Sequence, residues 1–273
     1  MQDPSKPIWF GEETKPKVKT KSKYKFFVAT PVHNEVSIHY FQACLEFQKQ
    51  CMKKDVLSCF QVMKSSLVTQ GRNLCVSSFM ETDSTHLLFI DSDIDFDSES
   101  IFKMADTNKD VISVPYPLKT FNWEKGFSKV KDGTIKNAEE LKYKGFYQYP
   151  MKVSNSTDIK VDKDGVIEVT HSPTGCMLIK REVIEKMIKA YPEKEIIQKT
   201  IINGKMETKP YLYNLFDTDF DSETKTYLGE DFAFCKRWKN LGGKCHALIT
   251  EKISHIGEHQ YRGCFADELS KSS

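Results

Sequence analysis

The stretch THLLFIDSDIDF, residues 85–96, dominates the interpretation of this sequence, because a short apolar run passes directly into alternating carboxylates. Short, continuous apolar runs are typical of strands that are buried on both faces of a parallel sheet. Ligands of such sheets bind beyond the carboxyl ends of the strands. The stretch therefore predicts a central strand and places Asp91, Asp93 and Asp95 at a candidate site.

Other apolar runs alternate with amphipathic segments along the chain. We predict strands over residues 24–31, 56–63, 85–90, 110–117, 175–180, 211–216 and 244–249. We predict helices over residues 37–52, 71–81, 98–106, 181–190 and 230–243. The spacing predicts an apolar stripe on the first helix, formed by Ile38, Phe41, Leu45, Gln48 and Met52, and one on the last, formed by Phe234, Trp238 and Leu241. The alternation predicts an α/β, Rossmann-like fold with a mostly parallel mixed sheet flanked by helices.

Composition divides the chain into one domain and two tails. Residues 1–23 are rich in Lys, Pro and Thr, which predicts a flexible basic tail or, less favoured, an arm for an anionic partner. Residues 24–263 are predicted to form a single domain, with a polar, substrate-side insertion at 118–170 that contains a hairpin at Asp164-Gly165. Residues 264–273 are the predicted C-terminal tail.

The composition also excludes several classes of protein. A chain of 273 residues that is 39% apolar and 29% charged is neither disordered, collagen-like nor a small disulfide scaffold. No apolar run approaches the ~20 residues of a membrane helix, and the first residues lack an export signal, so we expect a cytoplasmic location. The eight cysteines contain no C-x-x-C pair, which predicts reduced, mostly buried thiols.

The carboxylates after the central strand predict a divalent metal. While the backbone stays extended, Asp91, Asp93 and Asp95 point the same way and repel one another unless a cation lies between them. An oxygen-only cluster selects Mg²⁺ or Mn²⁺, which typically also holds substrate phosphates. Surface acids that begin a loop are the first alternative. A calcium loop is disfavoured because Phe96 and Phe102 stand where that loop needs Gly and Glu. A haloacid-dehalogenase-type phosphatase is the remaining alternative.

Four further segments carry candidate site residues. Residues 71–73, Gly-Arg-Asn, open a helix, where a guanidinium can hold a nucleotide or make a simple salt bridge. Gly175 permits close approach of the backbone to a ligand, or forms a plain turn. Glu230 and Asp231 stand in the first turn of a helix, favoured there by the dipole or placed to remove a proton from an acceptor hydroxyl. His255 is either structural or a ligand that completes the coordination of Mn²⁺.

Taken in order, these segments resemble glycosyltransferases of the GT-A fold, in the family-2-like group that includes phage and bacterial proteins. The resemblance covers about residues 24–263. It rests on ATPVHNE (29–35), QGRN (70–73), HLLFIDSDIDF (86–96), VPYPLK (114–119), SPTGCMLIKREV (172–183), YLGEDFAFCKRWKNLGG (227–243) and SHIG (254–257).

The resemblance implies an activity and a set of site residues. It implies a GT-A fold and a metal-dependent, inverting transfer of a sugar from a UDP- or GDP-linked donor to an acceptor hydroxyl, in a host cytoplasm if the protein is viral. The implied nucleotide-sugar residues are Thr30, Pro31, Arg72, Asn73, Asp91 and Gly175. The implied ligands of Mn²⁺ or Mg²⁺ are Asp91, Asp93 and His255, with Asp95 as a further candidate. Asp231, or less favoured Glu230, is the implied catalytic base.

The acceptor is open at this point. A glycan, a protein hydroxyl or a hydroxymethylated DNA base would each fit a hydroxyl-accepting site. The insertion contains aromatic residues that would form either an acceptor platform or part of the core, namely Trp123, Phe127, Tyr143, Phe146, Tyr147 and Tyr149. A carbohydrate- or nucleic-acid-binding protein that keeps a transferase fold without turnover is a further hypothesis.

Overall fold

The structure, a computed structural model, describes residues 8–10, 23–143, 145–153, 159–197, 199–202 and 204–258. The predicted C-terminal tail and most of the N-terminal tail lie outside these residues. Residues 8–10, within the predicted flexible tail, form an edge strand. The division into one domain and two tails stays a prediction.

Helices and strands alternate along most of the described chain. The helices are α1 Ile38–Lys53, α2 Val68–Met80, α3 Ser98–Asp106, α4 Trp123–Lys131, α5 Ala138–Tyr143, α6 Arg181–Ala190 and α7 Glu230–Asn240. The strands of the central sheet are β1 Ile8–Phe10, β2 Lys25–Val32, β3 Leu57–Lys64, β4 His86–Ile90, β6 Val111–Ser113, β7 Lys152–Val153, β8 Val166–His171, β9 Cys176–Lys180 and β14 Cys245–Leu248. The remaining strands form three small pairs, β5 Ile94–Phe96 with β15 Ile253–His255, β10 Thr200–Ile202 with β11 Lys205–Glu207, and β12 Asp219–Asp221 with β13 Thr226–Leu228.

The central sheet is mixed. Its order in the described chain is β1-β3-β2-β4-β9-β6-β14-β8-β7. Strands β2, β3, β4, β6, β7 and β14 run in one direction, and β1, β8 and β9 run in the other. Helices α2, α6 and α7 cover one face, and α1 and α3 cover the other. The predicted α/β class, a mixed sheet with most strands in one direction and flanking helices, is confirmed.

The two faces of the sheet bury two separate apolar clusters. Along β2, Phe27 and Ala29 point into one cluster, whereas Phe26 and Val28 point into the other, as the two-residue period of a strand requires. All five residues of β4 are buried. The strand predicted from its continuous apolar run therefore lies at the centre of the sheet, covered on both faces.

The predicted apolar stripe of α1 is wrong. Ile38, Phe41, Leu45 and Met52 are 62%, 50%, 47% and 61% exposed. The buried face is instead formed by Tyr40, Ala43, Cys44, Phe47 and Cys51. Both sets of residues have helical spacing. The second set faces the core because the ring of Phe47 packs against those of Phe26 and Phe102, with centroid distances of 5.6 Å in both cases. In α7, Phe234 and Trp238 are buried as predicted, but Leu241 lies beyond the helix end and is 39% exposed.

Two predicted strands are also corrected. The strand predicted over 110–117 ends at Ser113, because Pro115 and Pro117, without N–H groups, cannot continue a ladder. Residues 211–216 form no strand, only a single bridge between Glu195 and Tyr213. Their apolar character comes from core packing, since Phe216 stacks on Phe234 with ring centroids 4.3 Å apart.

The predicted hairpin at Asp164-Gly165 forms only in part. The turn is present, with Gly165 at φ +79° and its N–H donating to the carbonyl of Asp162 at 3.1 Å. Residues 159–161 form no strand, and β8 pairs instead with β7 and β14. The pairing of β5 with β15 was not predicted, and it has consequences for the candidate site.

Two predictions from composition bear on chemistry. The seven cysteines within the described residues are free and buried, as predicted; Cys264 lies outside them. Among the described helices, none has the length and apolar character needed to cross a bilayer.

Candidate active site

The candidate site begins where β4 ends, and the backbone there does not stay extended. The N–H of Ile94 donates to the carbonyl of Asp91 at 3.1 Å, which closes a turn directly after the strand. The premise that Asp91, Asp93 and Asp95 point the same way is therefore wrong. Strand β5 starts within this turn and pairs antiparallel with β15, so that Ile94 lies opposite His255. This pairing brings His255 beside Asp93.

A buried arginine joins two carboxylates from distant parts of the chain. Arg72, on α2, is 2% exposed. Its Nη2 donates to Oδ1 and Oδ2 of Asp91 at 2.9 and 3.3 Å, and its Nε donates to Oε1 of Glu230 at 3.1 Å. Burial alone would lower the pKa of Arg72, but the two carboxylates raise it above its ordinary value, so the guanidinium stays charged. The guanidinium also lies 5.2 Å from the ring centroid of Phe89.

One donor of this guanidinium has no partner. The buried Nη1 of Arg72 forms no hydrogen bond with any described residue. An unpaired donor on a buried charged group is costly, and such groups are expected to find an acceptor such as water or a bound anion.

Asp231 lies beside this group in a different electrostatic environment. Burial, followed by the charge of Glu230, raises the pKa of Asp231 to about 6. The N–H of Phe232 donates to Oδ1 of Asp231 at 2.7 Å and opposes this shift, but it does not cancel it. Both acids stand in the first turn of α7, yet Glu230 is held by Arg72 whereas Asp231 has a pKa close to the range needed in a general base.

A second group of charges forms around Asp93. Its Oδ2 accepts from Nζ of Lys119 and lies 3.5 Å from Nε2 of His255. Burial would raise the pKa of Asp93, but the hydrogen bonds and charges of His255 and Lys119 hold it at about 2. Nδ1 of His255 lies 2.9 Å from the carbonyl oxygen of Pro117, which can only accept, so Nδ1 carries a proton. In its contact with Asp93 it is Nε2–H that donates, so Nε2 would have to give up this proton to bind a cation.

The predicted metal ligands meet only in part. Among the described residues, no three or more His, Cys, Asp or Glu side chains are grouped to hold a metal ion. Asp91 is bound by Arg72, and no hydrogen bond joins Asp95 to the other acids. Asp93 and His255 alone converge. Such a pair fits a hard cation that takes its remaining ligands from substrate oxygens and water, and the fixed Nδ1–H of His255 is the second-shell arrangement found for metal-bound imidazoles.

The other predicted nucleotide-sugar residues lie in the scaffold around the site. Thr30 is fully buried, and its hydroxyl shares a 2.6 Å hydrogen bond with that of Tyr40. Pro31 follows it on β2 and packs close to Gly71: a Cβ added to that glycine would lie 3.1 Å from the Cβ of Pro31. Asn73 is also buried, and its amide bonds to Oδ1 of Asn214 and to the N–H of Phe216. Their contact with a nucleotide sugar stays a prediction.

Tyr116 is a site residue that sequence reasoning missed. Its ring meets the ring of His255 edge-on, with centroids 4.8 Å apart. A Cβ added to Gly175 would lie 2.3 Å from a ring carbon of Tyr116, so the glycine makes room for this ring. Burial, followed by the charges of Asp91 and Asp231, raises the pKa of Tyr116 well above its ordinary range. The phenol therefore stays protonated as a hydrogen-bond donor. The only sequence signal was its position in VPYPLK.

A cavity of about 810 Å³ opens next to Lys119 and His255. Aromatic and apolar side chains from the insertion form part of its wall, namely Phe121, Tyr147, Tyr149 and Met151. Two residues of the predicted aromatic platform, Tyr147 and Tyr149, thus border the candidate site. Phe146 packs against Gly126, and the exposed Trp123 and Phe127 face a separate hollow. The side chain of Tyr143 lies outside the described residues.

Fold and site together define an α/β protein with a charged cleft at the end of its central strand. No protein family profile matches the chain. No curated protein matches it.

The chain shows a distant likeness to several solved structures. A197 from STIV is 18% identical, with a TM-score of 0.45 and 86% of each chain covered. A glycosyltransferase involved in the glycosylation of the major capsid of PBCV-1 is 11% identical, with a TM-score of 0.31, covering 62% of this chain and 67% of the other. GalNAc-T7 with UDP, GalNAc and Mn²⁺ is 10% identical, with a TM-score of 0.44, covering 87% of this chain and 44% of the other.

Proposed function

We propose that this protein is a metal-dependent glycosyltransferase that moves a sugar from a UDP- or GDP-linked donor to an acceptor hydroxyl with inversion. The observation that carries the proposal is the pairing of two acids in different surroundings at the start of α7. Glu230 is fixed by the buried Arg72, whereas Asp231 is half-buried, has no cationic hydrogen-bond partner within the described part of the chain, and has a pKa of about 6. The different surroundings of Glu230 and Asp231 are those expected of a site that uses one carboxylate as a fixed charge and the other as a proton acceptor.

Arg72 is proposed to bind the donor. Its partnerless Nη1 supplies a charged hydrogen-bond donor for a phosphate or ribose oxygen. Asp91 and Glu230 hold the guanidinium plane in place, and because Nη1 is buried, neighbouring side chains would have to move before a donor oxygen reached it. Asp91 then accepts hydrogen bonds from hydroxyls of the nucleotide sugar. Thr30, Pro31, Asn73 and Gly175 support the same pocket through the backbone and packing.

Asp231 is proposed to remove the proton from the acceptor hydroxyl. With a pKa of about 6 it is ionised at neutral pH and yet basic enough to take up a proton as the hydroxyl attacks. Attack from the face opposite the leaving diphosphate inverts the anomeric centre. Tyr116, protonated and close to Asp91 and Asp231, is placed to donate a hydrogen bond to a sugar or phosphate oxygen.

Asp93 and His255 are proposed to hold Mn²⁺ or Mg²⁺. The bound ion would neutralise negative charge on the departing diphosphate. Lys119, which bonds to Asp93, would be released from this carboxylate when the ion binds and would then remain as a second positive charge beside the leaving group. Asp95 is the weaker ligand candidate, because it lies on β5 opposite Ser254.

The observations do not favour the alternative activities. An aspartyl-phosphate mechanism needs a free carboxylate after the central strand, but both oxygens of Asp91 accept from Arg72. A protein that only binds carbohydrate or nucleic acid has no use for a buried carboxylate whose ionisation is penalised. The acceptor remains a glycan, a protein hydroxyl or a hydroxymethylated DNA base, and the proposed location is the cytoplasm.

The test is mass spectrometry of products after incubation with Mn²⁺, a panel of UDP- and GDP-sugars, and the three classes of acceptor. We expect a mass increase of one sugar unit on one acceptor, accompanied by release of the nucleoside diphosphate. Asp93→Ala should lose both turnover and Mn²⁺-dependent nucleotide binding. Asp231→Asn should lose turnover but keep nucleotide binding. Asp164→Asn, on an exposed turn, is the matched control and should retain both.

Transfer by Asp231→Asn at the wild-type rate would refute the assignment of the base. Indifference of the wild-type protein to every nucleotide, with and without metal, would refute the proposed function.

A further inference from the structure

Helix α4 presents its apolar residues to solvent. Trp123, Phe127 and Val130, spaced as one helical stripe, are 56%, 61% and 43% exposed. The side that faces the protein is formed by Gly126, where an added Cβ would lie 1.8 Å from a ring carbon of Phe146. Gly126 lies one helical turn before Val130, so the exposed stripe runs beside the side of the helix that contacts the protein, and its side chains are largely left in solvent.

The outward aromatic side chains are held in place. The ring of Trp123 lies 5.3 Å from that of Phe121 and 4.9 Å from that of Phe146. Phe121 is itself 41% exposed and contacts Tyr147 at 5.8 Å between ring centroids. Beside Trp123 and Phe127 lies an open hollow of about 750 Å³. An ordered, exposed aromatic surface of this kind marks an interaction site.

The charge around this surface is positive. Residues 118–144 contain seven lysines against four acidic residues, Glu124, Asp132, Glu139 and Glu140, and one of the seven, Lys119, is paired with Asp93 in the cleft. Among the described residues, no ion pair engages Lys129, Lys131 or Lys136. Lysines next to an apolar stripe extend their charged ends past it while their stems remain against apolar surface.

We propose that this surface, which we call the α4 face and define by Phe121, Trp123, Phe127 and Val130 with Lys129, Lys131 and Lys136, docks the protein on an anionic lipid bilayer. Bulky aromatic side chains on one side of a helix, with lysines beside them, match the interfacial region of a bilayer, where rings enter at headgroup depth and lysines meet lipid phosphates. An acidic protein would complement the lysines but would not require a continuous protruding aromatic stripe, and a glycan platform would need more hydrogen-bonding side chains between the rings. The proposal does not depend on the proposed function.

The test is cosedimentation of the full chain with vesicles of phosphatidylcholine alone or mixed with phosphatidylserine. We expect binding to the mixed vesicles, weakened by salt, with a blue shift of tryptophan fluorescence that is absent in Trp123→Ser. The double variant Trp123→Ser, Phe127→Ser should bind at least about tenfold more weakly. Lys131→Gln and Lys136→Gln should each weaken binding to the mixed vesicles by about fivefold.

The matched control is Ile201→Ser, which removes an apolar side chain that is 70% exposed elsewhere on the protein. It should bind vesicles as the wild type does. All these positions are exposed, so unfolding curves should be unchanged and separate a binding defect from a folding defect. Absence of binding to the mixed vesicles, or binding that the α4-face variants leave unaltered, would overturn the proposal. So would retention on a glycan array or an acidic polypeptide without vesicle binding.

Discussion

Asp231→Asn should stabilise the protein at alkaline pH while abolishing its proposed activity. The pKa of Asp231 is raised from 3.8 to about 6, chiefly by burial and then by Glu230. The difference corresponds to about 3 kcal/mol of unfavourable free energy for ionising this group in the folded state. In the unfolded chain the same carboxyl ionises near its ordinary value, so the folded state binds more protons between these two pKa values.

The sign of the effect follows from this difference. Well below pH 3.8 Asp231 is protonated in both states and costs nothing. As the pH rises through the interval between the two pKa values, Asp231 ionises in the unfolded state but stays protonated in the folded state. Ionisation lowers the free energy of the unfolded state, so the free energy of unfolding falls. Above about pH 6 the loss is complete, at about 3 kcal/mol. Asparagine keeps the oxygen that accepts from the N–H of Phe232 but does not ionise, so it removes the whole loss.

The assay is urea unfolding of the wild type, Asp231→Asn and the exposed control Asp164→Asn at pH 4 and pH 8. We expect Asp231→Asn to be about 2 kcal/mol more stable than the wild type at pH 8, relative to the same comparison at pH 4, where part of the loss is already present. The control should show no such dependence on pH. A stability difference for Asp231→Asn that is equal at the two pH values would show that Asp231 is not a destabilised, buried acid.

Four other substitutions test the packing around the site and the corrected helix face. Arg72→Met should destabilise the protein by about 2–4 kcal/mol in urea unfolding, because it leaves two half-buried carboxylates without their cation; a loss below about 1 kcal/mol would contradict this. By the same measurement, Phe47→Ala should lower the free energy of unfolding by about 3–5 kcal/mol, whereas Phe41→Ala, on the exposed face of α1, should change it by less than about 0.5 kcal/mol. A larger loss for Phe41→Ala than for Phe47→Ala would show that the residues first predicted to face the core do so. Gly175→Ala should cost about 1–3 kcal/mol by driving a methyl group into the ring of Tyr116, and an unchanged unfolding midpoint would show that the ring is not confined there.

The layered fold was predictable from the sequence because its central elements carry strong local signals. The continuous apolar run of β4 is typical of a buried strand, and the apolar residues of α3 recur with helical spacing. The helix α3 forms over the predicted residues 98–106. The stripe of α1 was not predictable in this way, because two sets of residues share helical spacing. The choice between them depends on Phe26 and Phe102, which are distant in sequence.

The candidate site was predictable in its residue types but not in its pairings. The sequence pointed to Arg72, Asp91, Asp93, Glu230, Asp231 and His255, and the structure gathers them into two groups. Arg72 joins Asp91 to Glu230, which lies 158 residues further along the chain than Arg72. Sequence spacing carries no information about a pairing over this distance. The turn after β4 separates Asp91 from Asp93 and depends on the pairing of β5 with β15. These two strands have three residues each, which is too short for a recognisable strand pattern in the sequence.

The central claim is that a divalent cation binds at Asp93 and His255 and meets the diphosphate of a nucleotide sugar there. Its most direct test is the anomalous scattering of manganese in crystals soaked with Mn²⁺ and UDP or GDP. The claim predicts a manganese peak bonded to Oδ of Asp93 and Nε2 of His255, with Lys119 withdrawn from the carboxylate and phosphate oxygens completing the coordination. Crystals that contain the bound nucleotide but show no manganese peak at these two side chains would contradict it.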